Sequence, residues 1–465
     1  MTSHDAQSAL DHFKARKSQY LSDLKDLVRI PSISFPGFDP SPVRQCAKAV
    51  AALLEKTGLN AVRLLESGAG SPAVFAEWTG APGKPTLLLY AHYDVQPTGR
   101  AELWTTPPFE PSERNGRLYG RGAADDKGGI AMYLAAAGSY LRSSNRLPIN
   151  IKVLIEGEEE TGSSHLDDIL RQNRGLFSAD AVLIADSHNF DSGIPALTAS
   201  LRGIITVNVE VRSLASSVHS GTWGGPLPDP VIALSRMIAS LLDAEGKPAI
   251  PGLLGKVRRL SPQDRAGLDA LPFDEAIYRK QSKLLDGVRM VGGDGSVYEK
   301  MWYRPSIAVN AIEASSRKQA SNIINDVAWA RIGIRIVPDM DPAETLELLT
   351  NHLRDQAPWG VQVSIEPESP ARWWKTDTDG PVFRAALRSL ERGYGSEAVV
   401  VGAGGSIPFV QTITEALGGA PALLVGVEDP YTAAHSENES LLISDWEKGC
   451  LSLIHVFAEM ADQGG

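Results

Sequence analysis

Two kinds of apolar spacing alternate along the first 200 residues. Over residues 7–28, Leu10, Phe13, Tyr20, Leu21, Leu24 and Leu27 recur among charges at helical spacing. Ile30-Pro31-Ser32-Ile33-Ser34 breaks that pattern, and a second helix is expected near 41–57, ending at Gly58. Residues 86–91 form a near-continuous apolar run, the signature of a strand buried on both faces. A glycine-rich turn at 120–129 opens a small, apolar helix reaching about residue 142. Further strands are expected at 149–155 and 181–185. Strands alternating with helices argue for an α/β sheet.

After Gly203 the pattern changes. Residues 204–211 alternate apolar with polar, as a half-exposed strand does. A helix near 230–243, strands at 306–314 and 329–337, a helix at 342–357 and a strand at 361–365 complete a βαββαβ order, the ferredoxin-like split unit. Residues 244–304 form a polar insertion within it. From about 370 the first style resumes, with a helix at 381–392, strands at 399–401 and 422–425, and a helix at 440–460. The expected fold is α/β, with residues 1–202 and 370–465 making one domain interrupted by a smaller α+β domain at 203–369.

Composition narrows the function. At 465 residues, two domains are the natural expectation. The net charge of −11 disfavours a general nucleic-acid surface. Cys46 and Cys450 make neither a disulfide framework nor a zinc knuckle, which points to a reducing compartment. The N-terminal residues are polar, and no apolar run reaches the ~20 residues that span a bilayer. A cytoplasmic protein with no membrane partner is expected.

The candidate chemistry sits where elements end. His92 follows the strand at 86–91, and the acidic run Glu158-Glu159-Glu160 follows the strand at 149–155. Asp186 follows the strand at 181–185, and His435 lies in a loop after the strand at 422–425. Asp125 lies in the turn at 120–129, where Gly122 supplies a permissive backbone and a helix start favours a carboxylate. Open α/β sheets place their ligands at that edge. Two imidazoles and several carboxylates suit zinc, or manganese if oxygen ligands dominate. A bridging carboxylate with ligands for each ion makes a two-metal site, which polarises a carbonyl and acidifies water. One of the adjacent glutamates can coordinate while its neighbour takes a proton, and the residues alone leave open which does which. Asp94 can hold His92 from behind. Taken singly, each motif reads as well as a cap, a turn or a solvated charge. Their collection at successive strand ends is what points to metal.

His92-Tyr93-Asp94-Val95-Gln96-Pro97, Tyr119 to Gly128, Glu158 to Ser163, Asp186 and Ala434 to Glu439 together resemble the M20 family of metallopeptidases, from about residue 15 to the C-terminus. His-Tyr-Asp-Val-Gln-Pro with Trp104 and Pro108-Phe109 is most similar to its dipeptidase branch, which includes the carnosine-type dipeptidases. The resemblance implies a zinc-exopeptidase-like catalytic domain and a lid and dimerisation domain, hence a homodimer. It implies two divalent ions, zinc with manganese or cobalt as alternates. Asp125 would bridge them, His92 and Asp186 would complete one, and Glu160 and His435 the other. Glu159 would be the general base and Asp94 would orient His92. His219 in Val218-His219-Ser220-Gly221 matches a lid histidine that stabilises the oxyanion in a partner's site. Arg335 matches a carboxylate-binding arginine, Asn322 a residue polarising the scissile carbonyl, and Ser406 in Gly404-Gly405-Ser406-Ile407-Pro408 an anion-holding loop.

The sequence departs from the branch at one place. The usual acidic residue before that Gly-Gly, able to pair with a substrate's free α-amine, is Ala403 here. The expected function is hydrolysis of dipeptides or short peptides. An amidohydrolase acting on N-acyl amino acids is the second reading, and a non-catalytic binding module on the same fold the third.

Overall fold

The computed structural model describes residues 2–68, 70–405 and 407–462. They form two compact units, one of residues 1–199, 376–401 and 409–465, the other of residues 200–375 and 402–408.

In the first unit the buried apolar runs become the middle of a mixed sheet. Its spatial order is Asn60–Leu65, Ala73–Trp78, Asn150–Glu156, Thr86–His92, Ala181–Ile184, Ala422–Leu424 and Ala196–Leu201. The strands starting at 150, 86, 181 and 422 are mutually parallel. His92 pairs in register with Glu156, and Tyr90 with Ile184, so these carboxyl ends share one edge. Leu87 to Ala91 are fully buried, as strands covered on both faces require. Helices Thr2–Val28, Lys127–Ser144 and Ile443–Ala461 supply much of the cover, through Phe13, Ala135, Ala136, Trp446 and Phe457. Thr2–Val28 starts earlier than the spacing predicted. The strand Asn60–Leu65 was not anticipated, because it is largely exposed and lacks an apolar run; Ala73–Trp78, its antiparallel neighbour, also went unpredicted, although its first four residues are buried.

In the second unit the βαββαβ order is present. Four antiparallel strands lie in the order Ser306–Glu313, Val327–Ile336, Gly203–Arg212, Gln362–Pro367. Alternation does its expected work: Ile205, Val207, Val209 and Val211 are buried together with Leu234 and Met237 of helix Pro230–Ala239 and Leu349 and Leu353 of helix Pro342–Asp355. The first of these helices stops at Ala239, shorter than the expected 230–243. The described residues of the insertion hold the short α-helices Pro262–Ala270, Glu275–Gln281 and Val297–Trp302 and a 3-10 turn at Leu254–Lys256. No helix among the described residues is long and apolar enough to cross a membrane.

Candidate metal centre

The first unit brings His92, Asp94, Asp125, Glu159, Glu160, Asp186 and His435 to one place. His92 is fully buried at its strand end. Its Nδ1 lies 3.1 Å from the Asp94 carbonyl and 3.3 Å from Asp94 Oδ1. A proton on that nitrogen leaves the Nε2 lone pair facing the centre. Asp94 also accepts from the backbone N–H of Glu159 at 3.2 Å and of Glu160 at 3.1 Å, and from Ser34 Oγ at 2.7 Å. One buried carboxylate thus fixes both the imidazole and the acidic turn.

Asp125 occupies the geometric middle. Its Oδ1 is 3.0 Å from His92 Nε2 and its Oδ2 is 3.0 Å from His435 Nε2, so each oxygen addresses a different imidazole. The Asp125–Asp126 peptide is cis, and Gly122 has φ of +79°, the left-handed conformation that glycine tolerates. Glu439 holds this turn from beneath. Its buried carboxylate accepts from the backbone N–H groups of Gly122, Ala124 and Asp125, at 3.0, 3.1 and 3.3 Å, and from Arg121 Nη1 at 2.8 Å. The sequence motif contained Glu439 without signalling that role.

The three consecutive glutamates diverge. Glu158 turns away, accepting from Ser71 N–H at 2.7 Å and lying 2.8 Å from His165 Nδ1. Glu160 accepts from Gln96 N–H at 3.1 Å and Gln96 Nε2 at 2.6 Å, with Oε2 3.3 Å from His435 Nε2. Glu159 Oε2 stands 4.0 Å from His92 Nε2. The short helical turn Glu159–Thr161 produces this split.

Among the described residues, ligand-type atoms gather in three sets, each within 4.8 Å: His92, Glu159 and Asp186; Asp125, Glu160 and His435; Asp125, Asp186 and Glu428. Zinc bonds of about 2.0–2.2 Å put tetrahedral ligands about 3.4 Å apart, close to the spacings around Asp125. Glu428 escaped the sequence reading. Its available signal was the rule that singled out Asp186, a carboxylate just past the carboxyl end of a buried strand.

Electrostatics points to cations. Burial opposes charge on Glu160, and with Asp125 nearby its pKa rises to about 8. Burial, with Asp125 adding to it, likewise lifts Asp186 to about 7. Glu159 is pushed well above the usual carboxylate range by burial and then by Asp186. Burial also opposes charge on His92, yet Asp125 and Asp94 raise its pKa well above the ordinary value. Asp125 raises His435 to about 9. Burial opposes charge on Asp125 too, but the two imidazoles hold it below its usual range. The donor set is short of positive charge, and divalent cations fit it.

The other expected residues belong to the second unit. His219 pairs with Ile323 on a short antiparallel ladder, Val218–His219 with Ile323–Ile324, and Asn322 directly precedes the second of these strands. Ser220 N–H donates to the Asn322 carbonyl at 3.0 Å. His219 Nδ1 accepts from Gly221 N–H at 3.0 Å, which places the proton of a neutral ring on Nε2. Arg335 is half-buried on its strand, close enough to Arg202 that the two charges depress the Arg202 pKa further, to about 10, after burial. Arg202 was not singled out from sequence. It donates from Nε to the Gly404 carbonyl and from Nη1 to Ser306 Oγ, both at 3.0 Å. Ser406 lies outside the described residues.

A family model described as peptidase family M20/M25/M40 matches residues 88–459. The chain belongs to this family. The M20 chain is 35% identical over 400 residues to the cysteinylglycine-S-conjugate dipeptidase of Corynebacterium striatum, covering 85% of this chain and 86% of that one. It is 29% identical over 397 residues to the Beta-Ala-His dipeptidase of Homo sapiens, covering 84% and 78%. Among solved structures, the di-peptidase Dug1p of Saccharomyces cerevisiae superimposes with a TM-score of 0.85 at 26% identity, covering 99% of both chains.

Proposed function

We propose that this M20 protein is a metal-dependent dipeptidase, hydrolysing the peptide bond of dipeptides or short peptides. The observation that carries it is Asp125, whose two carboxylate oxygens each face a different imidazole. In this reading Asp125 would serve both of two divalent ions, with His92 and Asp186 to hold one, and Glu160 and His435 the other. Zinc is the first choice by ligand type, with manganese or cobalt as alternates. Bound there, the ions would polarise the scissile carbonyl and lower the pKa of water. The chain's own residues do the rest. Asp94 fixes the His92 ring. Gln96 orients Glu160. Glu159, with no ligand role, takes the water proton and returns it to the leaving amine.

By resemblance, His219 and Asn322 assist the oxyanion, and Arg335 and Ser406 take the substrate carboxylate. The second unit is the lid and the homodimer contact in this reading. Cys46 and Cys450 are both free and buried, which suits a cytoplasmic protein. The relatives named as dipeptidases support the substrate class. Ala403 favours a second reading, an amidohydrolase on N-acyl amino acids. The deciding assay strips the protein with a chelator, restores zinc, manganese or cobalt singly, and follows amino-acid release from a dipeptide panel. Dipeptide hydrolysis that vanishes on stripping and returns with metal is expected. Hydrolysis indifferent to chelation would end the proposal.

A further inference from the structure

Arg202 is a half-buried guanidinium that the proposed mechanism does not use. It joins strands Ala196–Leu201 and Gly203–Arg212 and belongs to the second unit, with Arg335, Ser306 and Gly404. Arg335 pairs in register with Ile204 on one side and with Ser306 on the other, so Ser306 shares its face of the sheet. Arg202 Nη1 donates to Ser306 Oγ at 3.0 Å, which keeps it on that face too. The opposite face carries the buried Ile205, Ile334 and Ile336.

Arg202 is held but not neutralised. Its Nε donates to the Gly404 carbonyl at 3.0 Å, and its Nη2 donates to nothing among the described residues. A Cβ at Gly404 would lie 2.9 Å from Nη2, so glycine leaves that nitrogen room. Among the described residues no carboxylate lies within ion-pair distance of Arg202, and the charge that bears on it is the like charge of Arg335. Arg331, on the strand of Arg335, shows the contrast: Glu368 accepts from its Nε at 2.8 Å and its Nη2 at 2.6 Å. Position 403, whose carbonyl accepts from Arg202 N–H at 3.3 Å, is alanine and offers no carboxylate.

Two guanidiniums side by side repel, and bound anions turn that repulsion into attraction. The α-carboxylate of a dipeptide, assigned above to Arg335, answers one of them. The other is left for a second carboxylate, which a C-terminal acidic residue carries. The two carboxylate carbons of a glutamate lie about 5 Å apart when extended, a span that neighbouring guanidiniums can cover.

Resting on the dipeptidase reading, we propose that Arg202 and Arg335 form a double-anion subsite that selects dipeptides ending in an acidic residue, with Arg202 taking the side-chain carboxylate. A charge-assisted hydrogen bond at a half-buried site makes that carboxylate worth roughly tenfold.

The test compares kcat/KM on alanylglutamate and alanylglutamine, which match in shape and differ in charge, for metal-saturated wild type, Arg202→Gln and Arg202→Lys, with melting temperatures for all three. Wild type should favour alanylglutamate roughly tenfold, mainly through KM. Arg202→Gln should bring that ratio close to one, and Arg202→Lys, which keeps the charge but loses the planar guanidinium, should fall between. A purely structural role for Arg202 in holding Gly404 and Ser306 would lower both substrates together and leave the ratio unchanged, which would overturn the assignment. Wild type that hydrolyses alanylglutamine as well as or better than alanylglutamate would overturn it too, whatever the variants do, and would leave the dipeptidase reading intact. Wild-type turnover of neither dipeptide would refute both.

Discussion

Replacing each of Glu158, Glu159 and Glu160 by glutamine gives the sharpest test of the centre, because one isosteric change at three successive positions should have three different effects. Glu159→Gln removes the proposed base without removing a ligand. General-base catalysis is worth typically 10²–10⁴-fold, so kcat should fall by that factor, about 2.7–5.5 kcal/mol of barrier. The same change should not weaken the fold. Burial and Asp186 both oppose ionised Glu159, so a neutral amide relieves a cost and the metal-free protein should melt no lower than wild type. Glu160→Gln should instead shed metal, since its oxygens face His435 and are oriented by Gln96. Its loss of affinity should exceed the 10–100-fold typical of losing an outer partner. Glu158→Gln should be nearly silent, because an amide can still accept from Ser71 N–H and donate toward His165. The assay is kcat at saturating metal, metal content by mass spectrometry and melting temperature for each variant. Metal loss from Glu159→Gln equal to that from Glu160→Gln would show the roles to be misassigned.

Three further outcomes are expected. In metal-free protein, Glu160 near 8, Asp186 near 7 and His435 near 9 all bind protons more tightly folded than unfolded, so stability is greatest below their ordinary values and is lost as pH rises toward 9. Each buried carboxylate adds a slope of up to about 1.4 kcal/mol per pH unit, the more exposed His435 adds less, and added divalent metal should flatten the curve; a melting temperature independent of pH without metal would refute this. Asp94→Asn should cost about 10–100-fold in metal affinity or kcat/KM, because it loosens His92 and the acidic turn together, and wild-type kinetics would exclude that role. Arg121→Met strands Glu439 under the Asp125 turn and should cost about 3–5 kcal/mol in chemical denaturation, with a loss under 1 kcal/mol counting against it.

Much of the centre was legible before any fold was known. A strand covered on both faces needs a continuous apolar run, and Leu87 to Ala91 announced one; the polar residue that ends such a run, His92 or Asp186, is conspicuous for that reason. The alternation at 204–211 was equally plain, since a sheet with one face on a core must bury every second residue. Where burial is incomplete the signal fades, and Asn60–Leu65 went unseen.

The sequence by itself therefore determined the elements, their α/β and α+β styles, and the residue types that can meet metal. Tertiary structure alone decided which way each carboxylate faces. Glu158 and Glu159 are chemically alike neighbours, and the turn Glu159–Thr161, with contacts to His165 and to Ser71, 87 residues away, faces one of them away from the centre. Glu439 supports Asp125 across 314 residues of chain, and Glu428 reaches Asp186 because two strands happen to lie side by side. Local spacing encodes periodicity and burial, which are properties of one element. A site built from several strand ends depends on the order in which the sheet assembles them, and that order is fixed by long-range packing.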